Sequence, residues 1–146
     1  MDFGLSEEQQ LLQETVRGFV AGECPATRVR ALFDAGDGRA PDLWKGMAEM
    51  GLLGLALPEA YGGSGLELLD LALVMEILGA GAVPGPFFGH ALAGLAIAAG
   101  GSDAQRERWL PRLASGELVG SVAFGEGGDR WEPGVWTPEV SSGRLS

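Results

Sequence analysis

The sequence predicts a mainly α-helical fold, an N-terminal helical bundle followed by the first strands of a β domain. Two segments begin with Ser-x-x-Gln capping boxes, at Ser6 and Ser102. The apolar stretch 66–80 contains helix-forming residues, no proline, and glycines at its end. At residue 118 the pattern changes to a short β-branched and aromatic run. We therefore expect about six helices in a domain spanning 1–117, and the beginning of an incomplete β domain in 118–146.

The stretch 66–80 is the segment that we expect to be most buried. Its apolar residues cover nearly the whole circumference of a helix, which is typical of a helix buried by neighbours on most sides. It is too short to span a bilayer and carries three acids. Glu76 lies in its most apolar part, where an ionised carboxylate is costly without a partner. Glu76 therefore either reaches solvent or an arginine at the helix edge, or it lines a pocket.

Composition bounds the class of protein. The chain has 146 residues and a net charge of -10 at pH 7, which argues against a nucleic-acid partner because phosphate binding needs a basic face. Cys24 is the single cysteine, so no intramolecular disulfide and no cysteine metal cluster is expected. The acidic N-terminus lacks the apolar core of a signal peptide, which predicts a cytoplasmic location.

Local start and stop signals in the sequence predict the other helices. The first runs from Ser6 to about residues 22–25, and shorter helices are expected over 26–33 and from Pro41 to Gly51. An apolar helix over 87–99 carries His90 as its only polar side chain, which we interpret as a core or edge histidine with a hydrogen bond. The helix that begins at Ser102 is expected to break or kink at Pro111.

The segment 58–65 holds three glycines within 62–65 and predicts a loop with unusual backbone angles. A glycine-rich loop can bind a phosphate through its main-chain N–H groups. Neither of the two common phosphate-binding patterns, G-x-G-x-x-G and G-x-x-x-x-G-K-[ST], is present in the sequence. A tight connection that starts the helix over 66–80 is the favoured alternative. Beyond it, residues 118–124 predict a strand, Val135 and Val140 a possible second one, and 141–144 a hairpin turn.

Four motifs stand in the order and spacing found in acyl-CoA dehydrogenases, which this chain resembles over almost all of its length. They are LSEEQ at 5–9, PEAYGGSG at 58–65, MEILG at 75–79 and WLPRLASGE at 109–117. The resemblance implies the N-terminal helical domain of a three-domain flavoprotein (helical, β, helical). It also implies an FAD cofactor, an acyl-CoA substrate, an electron-transfer flavoprotein or similar acceptor, and a dimeric or tetrameric homo- or hetero-oligomer.

The resemblance also implies roles for particular residues. In that family a glutamate base removes the α-proton of the thioester while the flavin takes the β-hydride, and this base would lie beyond Ser146, so the chain contains no catalytic residue. Leu73, Glu76 and Ala80 would border the acyl tail as a substrate pocket. Main-chain groups of Val122, Phe124 and Gly125 would lie nearest the flavin.

The sequence departs from the family around residue 125. The family usually has Thr-Glu followed by a Gly-Ser-Asp stretch, whereas this chain has GEGGD at 125–129. Gly125 therefore lacks the threonine hydroxyl, and the serine has no clear counterpart. This departure would also suit the alternative function, a non-catalytic, flavin-poor subunit or assembly module of a mixed complex.

Overall fold

A computed structural model describes residues 4–36, 38, 40–123, 140–141 and 144–145 of the chain. Within this part there are six α-helices and a two-stranded ladder: α1 (Glu7–Glu23), α2 (Ala26–Asp34), α3 (Pro41–Glu49), α4 (Leu68–Ala80), α5 (Phe87–Gly100), α6 (Asp103–Ala114), β1 (Val140–Ser141) and β2 (Arg144–Leu145). Short 3-10 turns at Leu52–Gly54 and Glu59–Tyr61 connect α3 to α4. The predicted helical fold is confirmed.

Both predicted capping boxes are confirmed. The Ser6 hydroxyl accepts the Gln9 N–H at 3.2 Å, and Gln9 Oε1 accepts the Ser6 N–H at 3.1 Å. At the start of α6, the Ser102 hydroxyl accepts the Gln105 N–H at 3.3 Å, and Gln105 Oε1 accepts the Ser102 N–H at 2.8 Å. Each box satisfies two main-chain donors that a helix end otherwise leaves without a partner.

The core lies between α1, α3, α4 and the first half of α5. Its main cluster buries side chains from all four of these helices and from the turn after α3: Val16, Met47, Leu52, Leu53, Leu55, Leu71, Val74, Ile77, Leu78, Phe87 and Ala91. A second cluster joins Leu57 to Leu110, Leu113 and Ala114 of α6. Each cluster removes apolar surface from water, which is the main force that holds the helices together.

The helix α4 carries more buried side chains than any other described helix, but it is not covered on all sides. The predicted burial on most sides is too extensive, because one broad face of the helix is open. Leu68 and Leu69 are 64% and 51% exposed, and Ala72 and Glu76 continue the same face in solvent. The helix also begins at Leu68 rather than at residue 66. Apolarity alone did not distinguish a face packed within this chain from one that is open here.

Two other expectations need correction. The helix α6 continues through Pro111 to Ala114, and the carbonyl of Pro111 accepts the Ser115 N–H at 3.0 Å. Residues 118–123 form no strand, because no segment within the described residues pairs with them and they lie against α5 instead. Residue 124 of the predicted strand lies outside the described residues, as does Val135.

An antiparallel ladder joins the two ends of the turn predicted at 141–144. Val140 pairs with Leu145 and Ser141 with Arg144, so a short second strand follows the predicted turn. Residues 142 and 143 lie outside the described residues.

Candidate functional site

The main-chain N–H groups of the glycine-rich loop before α4 donate to nearby main-chain carbonyls, which leaves none of them to bind an anion. The N–H groups of residues 63–66 donate to carbonyls of the preceding turn at 2.9–3.2 Å: Gly63 to Pro58, Ser64 to Gly54, Gly65 to Leu57 and Leu66 to Leu55. A phosphate cradle needs such N–H groups pointing at the ligand. The geometry therefore favours the tight connection.

Two of the three residues predicted to border an acyl tail share an open groove. Glu76 and Ala80 line a groove of about 340 Å³ between α1 and α4, together with Arg17, Val20, Ala21, Ile77 and Gly81. Leu73 is 9% exposed and is not part of this lining. Glu76 thus reaches solvent, as one interpretation expected, and it also borders a concave surface, as the other did.

The segment that leads away from α6 is tied to the helices at two points. The indole Nε1 of Trp44 on α3 donates to the carbonyl of Gly116 at 3.1 Å. Four residues later, the N–H of Gly120 donates to Nδ1 of His90 on α5 at 3.3 Å. The rings of Trp44 and His90 meet edge to face, with centroids 4.9 Å apart and planes at 89°. Two helices therefore hold residues 116–120 through adjoining rings.

His90 is a buried histidine that makes a hydrogen bond, as its sequence context suggested. Its side chain is 1% exposed, and its Nε2 has no hydrogen-bond partner within the described part of the chain. Burial lowers the pKa of His90 below its ordinary value of 6.5, and the carbonyls of Leu53 and Leu113 act weakly in the opposite direction. The imidazole is therefore neutral around neutral pH.

Two apolar clefts flank the same segment, and both are lined by Val119. One of about 350 Å³ opens between Trp44, the Pro84–Pro86 turn and the end of the α2–α3 loop. The other, of about 300 Å³, lies between α5 and α6, against Ala93 and Trp109. Val119 itself is 58% exposed. Sequence reasoning assigned no site role to Trp44 or Val119, because the clefts form only when distant segments meet.

Of the residues predicted to lie nearest a flavin, Val122 is described and is half-buried. Ser121 beside it packs over Gly89 of α5, where an added Cβ would come within 3.2 Å of the serine hydroxyl. Main-chain groups of residues 121–123 make no hydrogen bond to another described residue. Phe124 and Gly125 lie outside the described residues.

The described residues contain no group of three or more His, Cys, Asp or Glu side chains suited to a metal ion. Among the helices that the structure describes, none combines the length and hydropathy needed to cross a bilayer. Cys24 is buried, and burial raises the pKa of its thiol, which lowers the fraction of the nucleophilic thiolate.

Comparison with known proteins places these features in a family. A family profile described as "Acyl-CoA dehydrogenase, N-terminal domain" matches residues 6–117. The acyl-CoA dehydrogenase IpdE2 of Mycolicibacterium smegmatis is 40% identical over 121 residues, which are 82% of this chain and 38% of that protein. This chain thus spans less than half the length of that relative.

Solved structures agree in fold. A variant of the Tcur3481-Tcur3483 steroid ACAD is 37% identical, with a TM-score of 0.76 over 84% of this chain and 34% of that one. An acyl-CoA dehydrogenase from Bacillus anthracis, solved as a complex with FAD, is 31% identical, with a TM-score of 0.73 over 85% of this chain and 22% of that one.

Proposed function

Since this chain belongs to the acyl-CoA dehydrogenase family, we propose that it forms the helical N-terminal part of an FAD-dependent oxidoreductase that desaturates acyl-CoA thioesters. The observation that carries the proposal is the apolar cleft beside Val119. It opens three residues before Val122, the residue whose main chain the family resemblance sets beside the flavin. An apolar cleft next to a cofactor suits a substrate whose tail is hydrocarbon.

The residues of this chain would bind and orient rather than react. Trp44 and the Pro84–Pro86 turn form rigid apolar walls, which exclude water from an acyl tail and restrict its position. The N–H and C=O groups of Val122 would lie along the cofactor. When bound, FAD supplies the oxidant that accepts the β-hydride, and the base that removes the α-proton would come from residues beyond Ser146.

The acyl tail has two candidate walls, and they lie on different elements. The first is the cleft at Val119, and the second is the groove at Glu76 and Ala80, whose lining does not include Leu73. A hydrocarbon tail favours the first, since its lining side chains are apolar throughout. The charged side chains of Arg17 and Glu76 make the second less suited to hydrocarbon.

The experiment uses the native gene product that carries this chain, whatever its length. Purified protein should show bound-flavin absorbance and should reduce an artificial electron acceptor only when an acyl-CoA is added. Val119→Asp should lower kcat/KM by about tenfold or more, because a carboxylate in the cleft opposes burial of an apolar tail. Phe33→Asp, at an exposed apolar residue on α2, is the matched control and should leave kcat/KM unchanged.

The outcomes separate the candidates. Flavin with acyl-CoA-dependent reduction supports the enzyme, and a loss with Glu76→Ala but not with Val119→Asp would move the acyl wall to α4. Protein without flavin and without turnover would overturn the proposal. That result would favour the alternative, a non-catalytic partner subunit or assembly module, for which the glycine at position 125 is the specific observation.

A further inference from the structure

We propose that neutral His90 is a positioning residue: its Nδ1 holds the N–H of Gly120, and protonation of the imidazole releases the segment 116–122 from the helical bundle. The release itself depends only on the described residues. Its consequence for a flavin beside Val122 rests on the proposed function.

The hydrogen-bond geometry fixes which nitrogen carries the proton. Gly120 donates its N–H to Nδ1 at 3.3 Å, so Nδ1 is the acceptor and the proton of the neutral ring is on Nε2. A protonated imidazole has N–H groups on both nitrogens and accepts nothing. The N–H of Gly120 would then face another N–H, and the contact that held the segment would become repulsive.

The segment has little room to adjust while it stays docked. A Cβ added at Gly120 would come within 2.7 Å of the Cβ of Ala93, so the backbone already lies directly on α5. The second tie, from Trp44 to Gly116, depends on an indole that rests against the His90 ring at 4.9 Å. A charge on His90 therefore affects both hydrogen bonds together. Movement of the segment away from α5 relieves the repulsion between the two N–H groups.

No charged neighbour competes for His90 among the described residues. The elements packed against it are α3, the Leu52–Gly54 turn, α6 and the segment itself. Their charged side chains point to other partners: Asp42 pairs with Arg28, Lys45 with Glu49, Asp103 with Arg106, and Arg112 with Glu117, while Arg108 lies over the Trp109 ring and Glu107 is exposed. The pKa of His90 has no contribution from any of them.

The direction of the pH dependence follows. The pKa of His90 in the folded chain lies below its ordinary value of 6.5, so the unfolded chain takes up this proton first as the pH falls. Stability and docking are complete above the ordinary value. They decline as the pH falls from there toward the folded pKa, and the segment is released below that folded value.

The first experiment needs only the 146-residue chain, labelled with ¹⁵N in glycine and histidine. His90 is the only histidine, so its imidazole signals are assigned without ambiguity. We expect the hydrogen-exchange protection factor of the Gly120 amide to fall about tenfold as the pH is lowered and His90 titrates, the effect of losing one hydrogen bond. Gly120 protection that does not follow the His90 titration would overturn the proposal.

Three variants separate the role of the imidazole from other effects. His90→Asn keeps an acceptor near the position of Nδ1 and cannot titrate, so Gly120 protection should lose its pH dependence. His90→Phe keeps a ring against Trp44 without an acceptor, so protection should be low at every pH. Glu117→Gln removes the titratable side chain that lies within the segment itself and should leave the pH dependence of Gly120 protection intact. If the His90 variants do not fold, the titration of the unaltered chain decides alone.

A second measurement tests the consequence for the cofactor. In the flavin-containing native gene product, the flavin absorbance should change with the midpoint of the His90 titration, and His90→Asn should abolish that change. If Gly120 protection follows the His90 titration but the flavin absorbance does not change, the positioning role toward the flavin is overturned. The release of the segment on protonation of His90 would still stand. Protein that contains no flavin would overturn the proposed function, while the Gly120 titration still decides the mechanism.

Discussion

Gln9 donates a hydrogen bond from its Nε2 to Oδ1 of Asp70 at 3.0 Å, which joins the first turns of α1 and α4. The other carboxylate oxygen, Oδ2, accepts the N–H of Glu67 at 2.9 Å. Asp70 is 7% exposed, and a buried carboxylate is stable only with such partners. The Asp70 side chain therefore accepts a main-chain N–H at the start of α4 and connects this helix to the capping box of α1.

Asp70→Ala should destabilise the chain. It removes two hydrogen bonds to a charged acceptor and leaves the Gln9 amide without its partner, so the free energy of unfolding should fall by about 1.5–3 kcal/mol. Urea denaturation followed by circular dichroism measures this change. Glu76→Ala, at an exposed acid on the same helix, is the control and should change the value by less than about 0.5 kcal/mol. Equal effects of the two variants would contradict the role given to Asp70.

Gly63→Ala should lower the stability of the fold strongly, whereas Gly79→Ala should change it little. A Cβ at Gly63 would overlap the main-chain carbonyl of Leu57, which cannot move without breaking the turn before α4. We expect a loss of about 2 kcal/mol or more, or failure to fold. At Gly79 a Cβ meets nothing within 4 Å, and alanine in a helix is favoured by up to about 1 kcal/mol. Thermal unfolding of the two variants tests the interpretation of residues 58–65 as a tight connection. Comparable losses of stability in both variants would refute it.

The features that could be predicted are those encoded by local chemistry. The capping boxes at Ser6 and Ser102 each depend on residues three apart, so the sequence alone locates both helix starts. Pro111 misled because a proline removes one N–H and raises the cost of a helix without forbidding it, and the packing of Leu110 and Leu113 keeps α6 continuous. The run at 118–123 has strand composition, but a strand also needs a partner to pair with.

The ties at the candidate site could not be predicted, because they join distant residues. His90 was expected to have a hydrogen bond, but its donor, Gly120, lies 30 positions away. Trp44 and Gly116 are 72 positions apart. Nothing local in the sequence pairs such residues, and the same is true of the clefts that Val119 lines. The family resemblance grouped Leu73, Glu76 and Ala80 in one pocket, whereas the depth of packing separates buried Leu73 from the other two.

The pKa of Asp42 should depend on Arg28. A hydrogen bond from the Arg28 guanidinium is the main reason that the pKa of Asp42 is lowered from its ordinary value of 3.8. Stability from this pair should therefore be present above the ordinary value and be lost as the pH falls through the lower, folded value. Arg28→Gln should raise the carboxyl titration midpoint in an NMR pH series. Glu8, whose pKa is lowered by its own main chain and by Ser6, is the control and should not shift.

The exposed apolar residues of the chain should bind a hydrophobic dye. Leu68 and Leu69 lie side by side at the start of α4 and are 64% and 51% exposed. Two neighbouring exposed leucines add apolar surface of the kind that another protein surface covers. The 146-residue chain should self-associate in gel filtration, and a Leu68→Ser, Leu69→Ser double variant should lower both association and dye fluorescence. Glu14→Ser, on the exposed side of α1, is the control, and a monomer that binds no dye would contradict the prediction.

The 146-residue chain by itself should neither retain FAD nor oxidise acyl-CoA, because it supplies only the Val122–Gly125 edge of the expected flavin site. Gel filtration with added FAD, and an acyl-CoA panel with an artificial acceptor, test this directly. Stoichiometric flavin or turnover above buffer would show that these residues suffice.

Gly125→Thr restores the hydroxyl that the family usually has at this position, and it should tighten flavin binding in the native gene product. One neutral hydrogen bond contributes about 0.5–1.5 kcal/mol, which corresponds to a decrease in Kd of roughly two- to thirteenfold. Gly125→Val has a similar volume and no hydroxyl, so it is the matched control. Flavin titration by fluorescence quenching gives both values. Equal Kd values for the two variants would mean that the hydroxyl contributes nothing to flavin binding at this position.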